Sequence, residues 1–309
     1  MFEIRHFPLL SQTPLALTIG NFDGIHLGHQ KMLEVLCEGA AERKLLPAVL
    51  TFEPHPREVL YPEKKPVRLI TFAQKMRLLQ EKGVGRVYVA RFTKELAMLS
   101  PEAFAHVLFK QLQAKFIVAG NDYRFGHDRL GDCDFLAAIG QTFDAEVFCL
   151  FAIAVNGQRV SSSALREALK EGDFVLARQM LGRDYSLYGK VVKGDGLGRA
   201  IGFPTANVHL KHKNFPLTGV FAVNTKIGKQ MVRGVANFGV RPTLNKPPKS
   251  ILEVHLFEWQ QEIYGERIEV FFLKKIRNEI KFPNLEALKQ QIAADRAVAK
   301  HFFEKEYHG

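Results

Sequence analysis

Short apolar runs alternate with longer amphipathic stretches through the first half of the chain. Leu15–Gly20, Ala48–Phe52, Arg86–Ala90, Phe116–Ala119 and Glu146–Phe151 read as strands. Between them, His29–Ala41, Phe72–Lys82, Pro101–Gln113 and Leu130–Phe143 carry apolar side chains at helical spacing. Strands alternating with helices predict βαβ units, a parallel sheet, and a ligand beyond the carboxyl ends of its strands. Ser161–Gly182 reads as two short helices broken at Gly172, with Asp173 capping the second. After Tyr185 the period shortens. Ser186–Val192, Val220–Lys226, Gln230–Phe238, Ile251–Phe257 and Ile268–Phe272 are β-rich runs between Gly and Pro turns, the pattern of a small closed barrel. Leu285–Glu306 reads as a terminal helix with apolar positions Leu288, Ile292, Val298, Phe302 and Phe303. The texture changes near Gly182–Tyr185, which divides the chain into domains 1–182 and 183–309.

Composition adds bounds. The 309 residues leave room for about two domains on a prior of ~150 residues each. With 47% hydrophobic and 24% charged residues the chain is ordinary globular material. No run approaches the ~20 apolar residues of a membrane span, and the best candidate, Val147–Val155, reads as a buried strand. Met1–Leu10 carries Glu3, Arg5 and His6 instead of a long apolar segment, so no secretory signal is expected. Cys37, Cys133 and Cys149 are far apart and odd in number. They predict neither a disulfide framework nor a zinc site and fit a reducing cytoplasm. The formal charge of +11 suits pockets for anionic nucleotides. Basic residues are scattered, with short clusters at Lys211–Lys213 and Lys274–Arg277 and no aromatic-interleaved RNA motif. Neither nucleic acid nor membrane is therefore an expected partner.

Two constellations carry chemistry. The first is Gly20-Asn21-Phe22-Asp23-Gly24-Ile25-His26-Leu27-Gly28-His29, which follows the first strand and opens the first helix. A helix N-terminus favours phosphate through its free N–H groups and dipole. His26 and His29 fall on one side of that turn and can donate to phosphoryl oxygens as charge develops, and Gly28 lets a nucleotide approach the backbone. The stretch resembles the HxGH nucleotidyltransferase superfamily. A class I aminoacyl-tRNA synthetase would also need a KMSKS-like loop, and none is found. Instead Val160-Ser161-Ser162-Ser163-Ala164-Leu165-Arg166 resembles the superfamily's second motif, ISSTxIR, where Ser162 and Arg166 can hold triphosphate.

The second constellation runs from Lys193 to Asn207. Lys193, Gly194 and Gly198 belong to a glycine-rich loop able to cradle phosphates. Thr205 and Asn207 offer hard oxygens suited to Mg²⁺. No Walker A string is present. The run Gly198-Arg-x-x-Gly-Phe-Pro-Thr-Ala-Asn207 looks like the signature of riboflavin kinase. Further matches follow at Gly234–Thr243, Leu252-Glu253-Val254-His255-Leu256-Phe257 and Ile276-Arg277-Asn278-Glu279.

Taken together, both halves resemble the bacterial bifunctional riboflavin kinase/FMN adenylyltransferase family, also called FAD synthetase. Thr51–Pro56 and Gly120–Gly126 are further landmarks. The resemblance implies an α/β Rossmann-like nucleotidyltransferase domain, then a small antiparallel β-barrel of riboflavin kinase type with a C-terminal helix. It implies ATP as co-substrate, riboflavin as substrate, FMN and FAD as products, and Mg²⁺ as cofactor. It implies Glu253 as base towards the ribityl hydroxyl, Thr205 and Asn207 as Mg²⁺ ligands, and Lys193, Gly194 and Gly198 as the phosphate loop. Arg277 is expected on the flavin side of that site. In the first domain it implies transition-state stabilisation by His26 and His29, with Asn21, Asp23 and Gly28 near the nucleotide. Ser162 and Arg166 would meet the triphosphate, and Asp122 and Arg124 the flavin. Two rivals remain open from the residues alone: a basic RNA-associated protein with a degenerate α/β domain, and a different HxGH transferase fused to an unrelated barrel.

Overall fold

The computed structural model describes residues 2–6, 11–194, 198, 201–210, 214–243 and 246–307, with backbone alone for 240–243 and 246–251. Asp195–Leu197, Arg199, the Lys211–Lys213 cluster and His212 lie outside the described residues. The chain packs as two compact units, Met1–Pro66 with Lys75–Ser161, and Val67–Gln74 with Ser162–Gly309.

In the first unit six parallel strands form one sheet: β1 (Glu3–His6), β2 (Leu15–Ile19), β3 (Leu46–Phe52), β4 (Arg86–Ala90), β5 (Ala114–Gly120) and β6 (Glu146–Leu150). Their spatial order is β1-β4-β3-β2-β5-β6. The helices are α1 (Leu27–Glu42), α2 (Pro56–Leu60), α3 (Phe72–Glu81), α4 (Lys94–Ala97), α5 (Pro101–His106) and α6 (Cys133–Gln141). Of α3, only the part from Lys75 on belongs to this unit. β2 and β4 are buried at all five positions, because helices cover both faces of a parallel sheet and leave no polar alternation. β3 and β4 lie to one side of β2 while β5 and β6 lie to the other. The chain thus reverses its direction of sheet growth at the β2/β5 boundary, where α/β sheets open a crevice beyond their strand ends. A two-strand hairpin, β7 (Ala154–Val155) with β8 (Gln158–Arg159), follows.

Two expectations fail in this unit. Val147–Val155 is not a buried strand: β6 stops at Leu150, and Phe148 and Phe151 are exposed. β6 is the sheet's edge strand, with β5 on one side only. The cysteines are not all free either. Cys133 and Cys149 form a disulfide with their Cα atoms 6.1 Å apart, leaving Cys37 as the free thiol. Cys133 opens α6 and Cys149 lies near the end of β6, so a helix running back along the next strand closes a 16-residue separation.

In the second unit, α7 (Ser162–Glu171) and α8 (Phe174–Leu181) precede the strands. Asp173 caps α8 by accepting from Leu176 N, and Gly182 ends it with a φ of 66°. Phe174 packs edge-on to Phe221, 5.7 Å between ring centres. The strands are β9 (Tyr185–Val192), β10 (Ala206–His209), β11 (Gly219–Ile227), β12 (Gln230–Thr243), β13 (Lys246–Leu256) and β14 (Arg267–Arg277). They close an antiparallel barrel in the order β10-β13-β12-β11-β14-β9, which removes the sheet edges. The final helix, α9 (Leu285–Lys305), is capped by Asn284, whose side chain accepts from Ala287 N. It packs Ala299, Phe302 and Phe303 against Ala222 and Phe257. Val298, expected on that apolar face, is 47% exposed; it lies one residue off the stripe that Asp295, Ala299 and Phe302 follow. Among the described residues no helix is long and apolar enough to cross a membrane.

Two candidate active sites

The first site grows from the end of β2. The chain leaves the strand through Phe22 (φ 48°), Gly24 (φ 92°) and Ile25 (φ 43°). Left-handed backbone at two bulky residues, one of them β-branched, is strained and persists only under tight packing. Phe22 and Ile25 are fully buried. The turn delivers His26 to the N-cap of α1, where its Nδ1 accepts from His29 N at 3.4 Å. His26 Nδ1 is thus an acceptor, so in the neutral ring Nε2 carries the proton and can donate. The two imidazoles stack at 3.8 Å between centres, tilted by 16°. A side chain at position 28 would press on the His26 ring, with its Cβ 3.2 Å from Nδ1. Burial, then His26, then Lys75 hold the His29 proton affinity well below its ordinary 6.5. His29 is therefore neutral at neutral pH. Its Nδ1 and the Asn21 side-chain oxygen are buried without a hydrogen-bond partner, which leaves polar atoms for a ligand to satisfy. Asp23 is buried beside them in sequence.

Asp122 and Arg124 follow β5, the neighbour of β2 across the reversal point. The Asp122 carboxylate pairs closely with Arg159 of β8. Arg124 donates to the Tyr123 carbonyl at 3.0 Å. Ser162 opens α7 in the second unit and Arg166 follows one turn on, where its Nε donates to the Val67 carbonyl at 2.7 Å.

The second site is a cavity of about 200 Å³ in the barrel unit. Gly198, Thr205, Asn207, Glu253 and Arg277 all line it, as expected from sequence. Asn207 on β10 pairs in register with Glu253 on β13, which pairs with Asn237 on β12. Residues directly opposite in a sheet share a face, so an amide, a carboxylate and an amide form one row across three strands. Gly194 is needed beside it, because a Cβ there would land on the Asn207 amide. Phe203 N donates to Gly198 O at 2.8 Å and ties the loop to the Thr205 segment. Lys193 is exposed, its Nζ 6.0 Å from the centre of the Tyr264 ring.

Several lining groups were not singled out in the sequence. His255 stands two residues beyond Glu253 and donates through Nδ1 to the Pro204 carbonyl at 2.9 Å, since a carbonyl can only accept. Its Nε2 is consequently an unprotonated acceptor, buried without a partner. Burial, and then the Arg296 cation, lower its proton affinity against the raising effect of Pro204. Arg296 Nε is also buried without a partner. Arg277 is committed within the protein: Nε and Nη2 donate to the Asp295 carboxylate at 2.8 and 2.7 Å, and Nη1 donates to Asn278 O at 2.9 Å. Asp295 is 3% exposed. A wider groove of about 620 Å³, edged by Arg233, Trp259 and Lys300, contains none of the expected residues.

Comparison with known proteins divides along the same line. A family described as FAD synthetase matches residues 10–164, and one described as riboflavin kinase matches residues 181–303. A bifunctional riboflavin kinase/FMN adenylyltransferase from Haemophilus influenzae is 44% identical, over 93% of this chain and 94% of that one. The protein of the same description from Escherichia coli K12 is 42% identical over 97% of each. A crystal structure from Streptococcus pneumoniae, described as a macrolide-efflux protein, superposes with a TM-score of 0.80 at 30% identity, over 96% of this chain and 98% of that one.

Proposed function

The chain belongs to the bifunctional riboflavin kinase/FMN adenylyltransferase family, and from that premise we propose how its two sites divide the synthesis of FAD. The protein phosphorylates riboflavin to FMN with ATP, then joins FMN to the adenylyl group of ATP, giving FAD and pyrophosphate. The functional halves are 1–182 for adenylyl transfer and 183–309 for phosphorylation.

The kinase assignment rests on the row Asn207–Glu253–Asn237. Glu253 takes the proton of the ribityl terminal hydroxyl as its oxygen bonds to the γ-phosphorus and the bond to ADP breaks. Thr205 and Asn207 fit a hard cation by donor type, a hydroxyl and an amide oxygen at the same cavity. Mg²⁺ there would supply charge neutralisation on the phosphates. The Gly194–Gly198 loop holds phosphate oxygens. His255 Nε2, as acceptor, and Arg296 Nε–H, as donor, suit hydroxyl groups of the bound polyol or ribose. Arg277 acts through Asp295, fixing α9 against the cavity.

For adenylyl transfer the nucleophile is the FMN phosphate. With a second pKa of about 6 it is already ionised near neutrality, so no general base is needed. Its oxygen bonds to the α-phosphorus of ATP as pyrophosphate leaves. His26 and His29 donate to the oxygens that gain charge, and Asn21, Asp23 and Gly28 meet the nucleotide. Ser162 and Arg166 bind the triphosphate, and Asp122 and Arg124 meet the flavin. A cytoplasmic location is part of the proposal because ATP is supplied there, although the Cys133–Cys149 disulfide removes the cysteine argument for it.

Chromatography of riboflavin, ATP and Mg²⁺ incubated with the intact chain tests the scheme. FMN should rise first and FAD follow, with one ADP and one pyrophosphate released per FAD. FAD formed without matching ADP, or adenylylation indifferent to flavin, would refute it.

A further inference from the structure

Lys75 is only 3% exposed, and lysine is almost never that buried unless its partners hold it. Its Nζ donates to the Asn21 backbone carbonyl at 3.1 Å and to the Thr51 hydroxyl at 3.2 Å. The Thr51 hydroxyl in turn lies 3.4 Å from the same carbonyl. Asn21 sits two residues beyond β2, and Thr51 is the penultimate residue of β3. One ammonium therefore ties together the ends of two adjacent strands at the Asn21 carbonyl. The residues right after that carbonyl are the left-handed Phe22, Gly24 and Ile25, and the next is His26. Such a turn relaxes unless something outside it fixes its entry. Lys75 is also an electrostatic neighbour of His29; the charged or titratable groups set against that ring are His26 from its own turn and Lys75 from α3.

We propose that Lys75 is a positioning residue for adenylyl transfer: its buried ammonium clamps the Asn21 carbonyl, and with it the left-handed turn that presents His26 and His29 to the phosphates. The inference rests on the reading of His26 and His29 as the adenylyl-transfer pair. A lysine serving stability alone would lower the denaturation midpoint and the yield of folded enzyme. It would leave turnover per active molecule where it is.

The test assays both reactions on the intact chain carrying Lys75→Met, Lys75→Gln or Lys75→Arg. Lys75→Met should lower kcat for FMN to FAD roughly 10²-fold, the scale of an ~1 Å misplacement of reacting groups, while riboflavin to FMN is unchanged. Lys75→Gln keeps a donor for the carbonyl without the charge and should fall between Lys75→Met and wild type. Loss of the cation should also raise the NMR titration midpoint of His29 in the Met and Gln variants and leave it in place with Arg. Wild-type kcat in Lys75→Met, or a loss matched in the riboflavin to FMN step, overturns the proposal. Should Lys75→Met not fold, Thr51→Val removes one link of the clamp at nearly constant volume; it should cost FMN to FAD severalfold, and no loss overturns the proposal. His29→Ala separates the two failures. If His29→Ala still converts FMN to FAD, the histidine-pair reading falls. If it does not and Lys75→Met is fully active, the Lys75 proposal alone falls.

Discussion

The two sites serve one co-substrate with different construction. In the first unit the key side chains leave the ends of parallel strands through a turn with two left-handed bulky residues, Phe22 and Ile25. In the barrel they stand on the strands themselves, with Asn207, Glu253 and Asn237 in register across β10, β13 and β12. A strand row inherits its spacing from the backbone ladder. A strained turn has no such template and must be forced by its surroundings, here by full burial of Phe22 and Ile25 and by the Lys75 bridge. The barrel site should therefore be vulnerable chiefly at its chemical groups, and the turn site also at residues that touch no substrate.

The contrast breaks most sharply at Glu253. Glu253→Gln keeps the size and the row but cannot take a proton, and should lower riboflavin phosphorylation by roughly 10²–10⁴-fold, the worth of general-base catalysis. FMN to FAD, assayed by flavin fluorescence, should be unchanged in the same variant. Retained kinase turnover would remove Glu253 from the base role. The reciprocal variant, His29→Ala, should halt product formation at FMN. A loss of about 10²–10³-fold in adenylyl transfer is the usual cost of one donor aimed at developing charge.

A smaller effect sharpens the barrel side. In Gly194→Ala the new methyl displaces the Asn207 amide, the group proposed to hold Mg²⁺. Overpacking of about 1–3 kcal/mol should appear as a raised Mg²⁺ requirement of the kinase step. Magnesium titration at fixed ATP measures it, and an unchanged half-saturation point would separate Asn207 from the metal.

Order and type of the main elements were legible because their apolar periods are set locally. What the sequence hid was non-local. β10 occupies only Ala206–His209 inside a stretch that reads as a motif loop, and only its ladder with β9 and β13 makes it a strand. His255 acts on Pro204, 51 residues away, and Arg277 on Asp295, 18 away. Pro204, His255 and Arg277 lie inside quoted motifs and Asp295 on the terminal helix, yet spacing along the chain does not show who meets whom. Lys75 lies within the run that reads as the Phe72–Lys82 helix, and only the fold sets the Asn21 carbonyl against it. Glu146–Leu150 is a strand as the pattern predicts, but Val147–Val155 is not a buried one, because edge and centre strands share a composition. Cys133 and Cys149 became neighbours through a helix and strand folding back on each other.

The finest discriminator is acid stability, since each site contains one histidine held below its ordinary 6.5. Burial is the first cause in both. At His29 the other neighbours, His26 and Lys75, push the same way; at His255 the Pro204 carbonyl pulls back. Above pH 6.5 neither the folded nor the unfolded chain protonates these rings, so stability is level. As pH falls through 6.5 the unfolded chain takes up a proton that the folded site refuses. Folding then loses up to ~1.4 kcal/mol per pH unit at His29, until its lowered folded pKa is reached. Because His29 is shifted further, the first unit should weaken over the wider acid range. Hydrogen exchange in β2 and β3, compared with β10 and β13, follows the two units separately from pH 8 to 5. His29→Gln should flatten the first response and His255→Gln the second, shallower one. Equal slopes in the two units would mean that the added push of His26 and Lys75 on His29, and with it the contrast between forced turn and templated row, is not what distinguishes them.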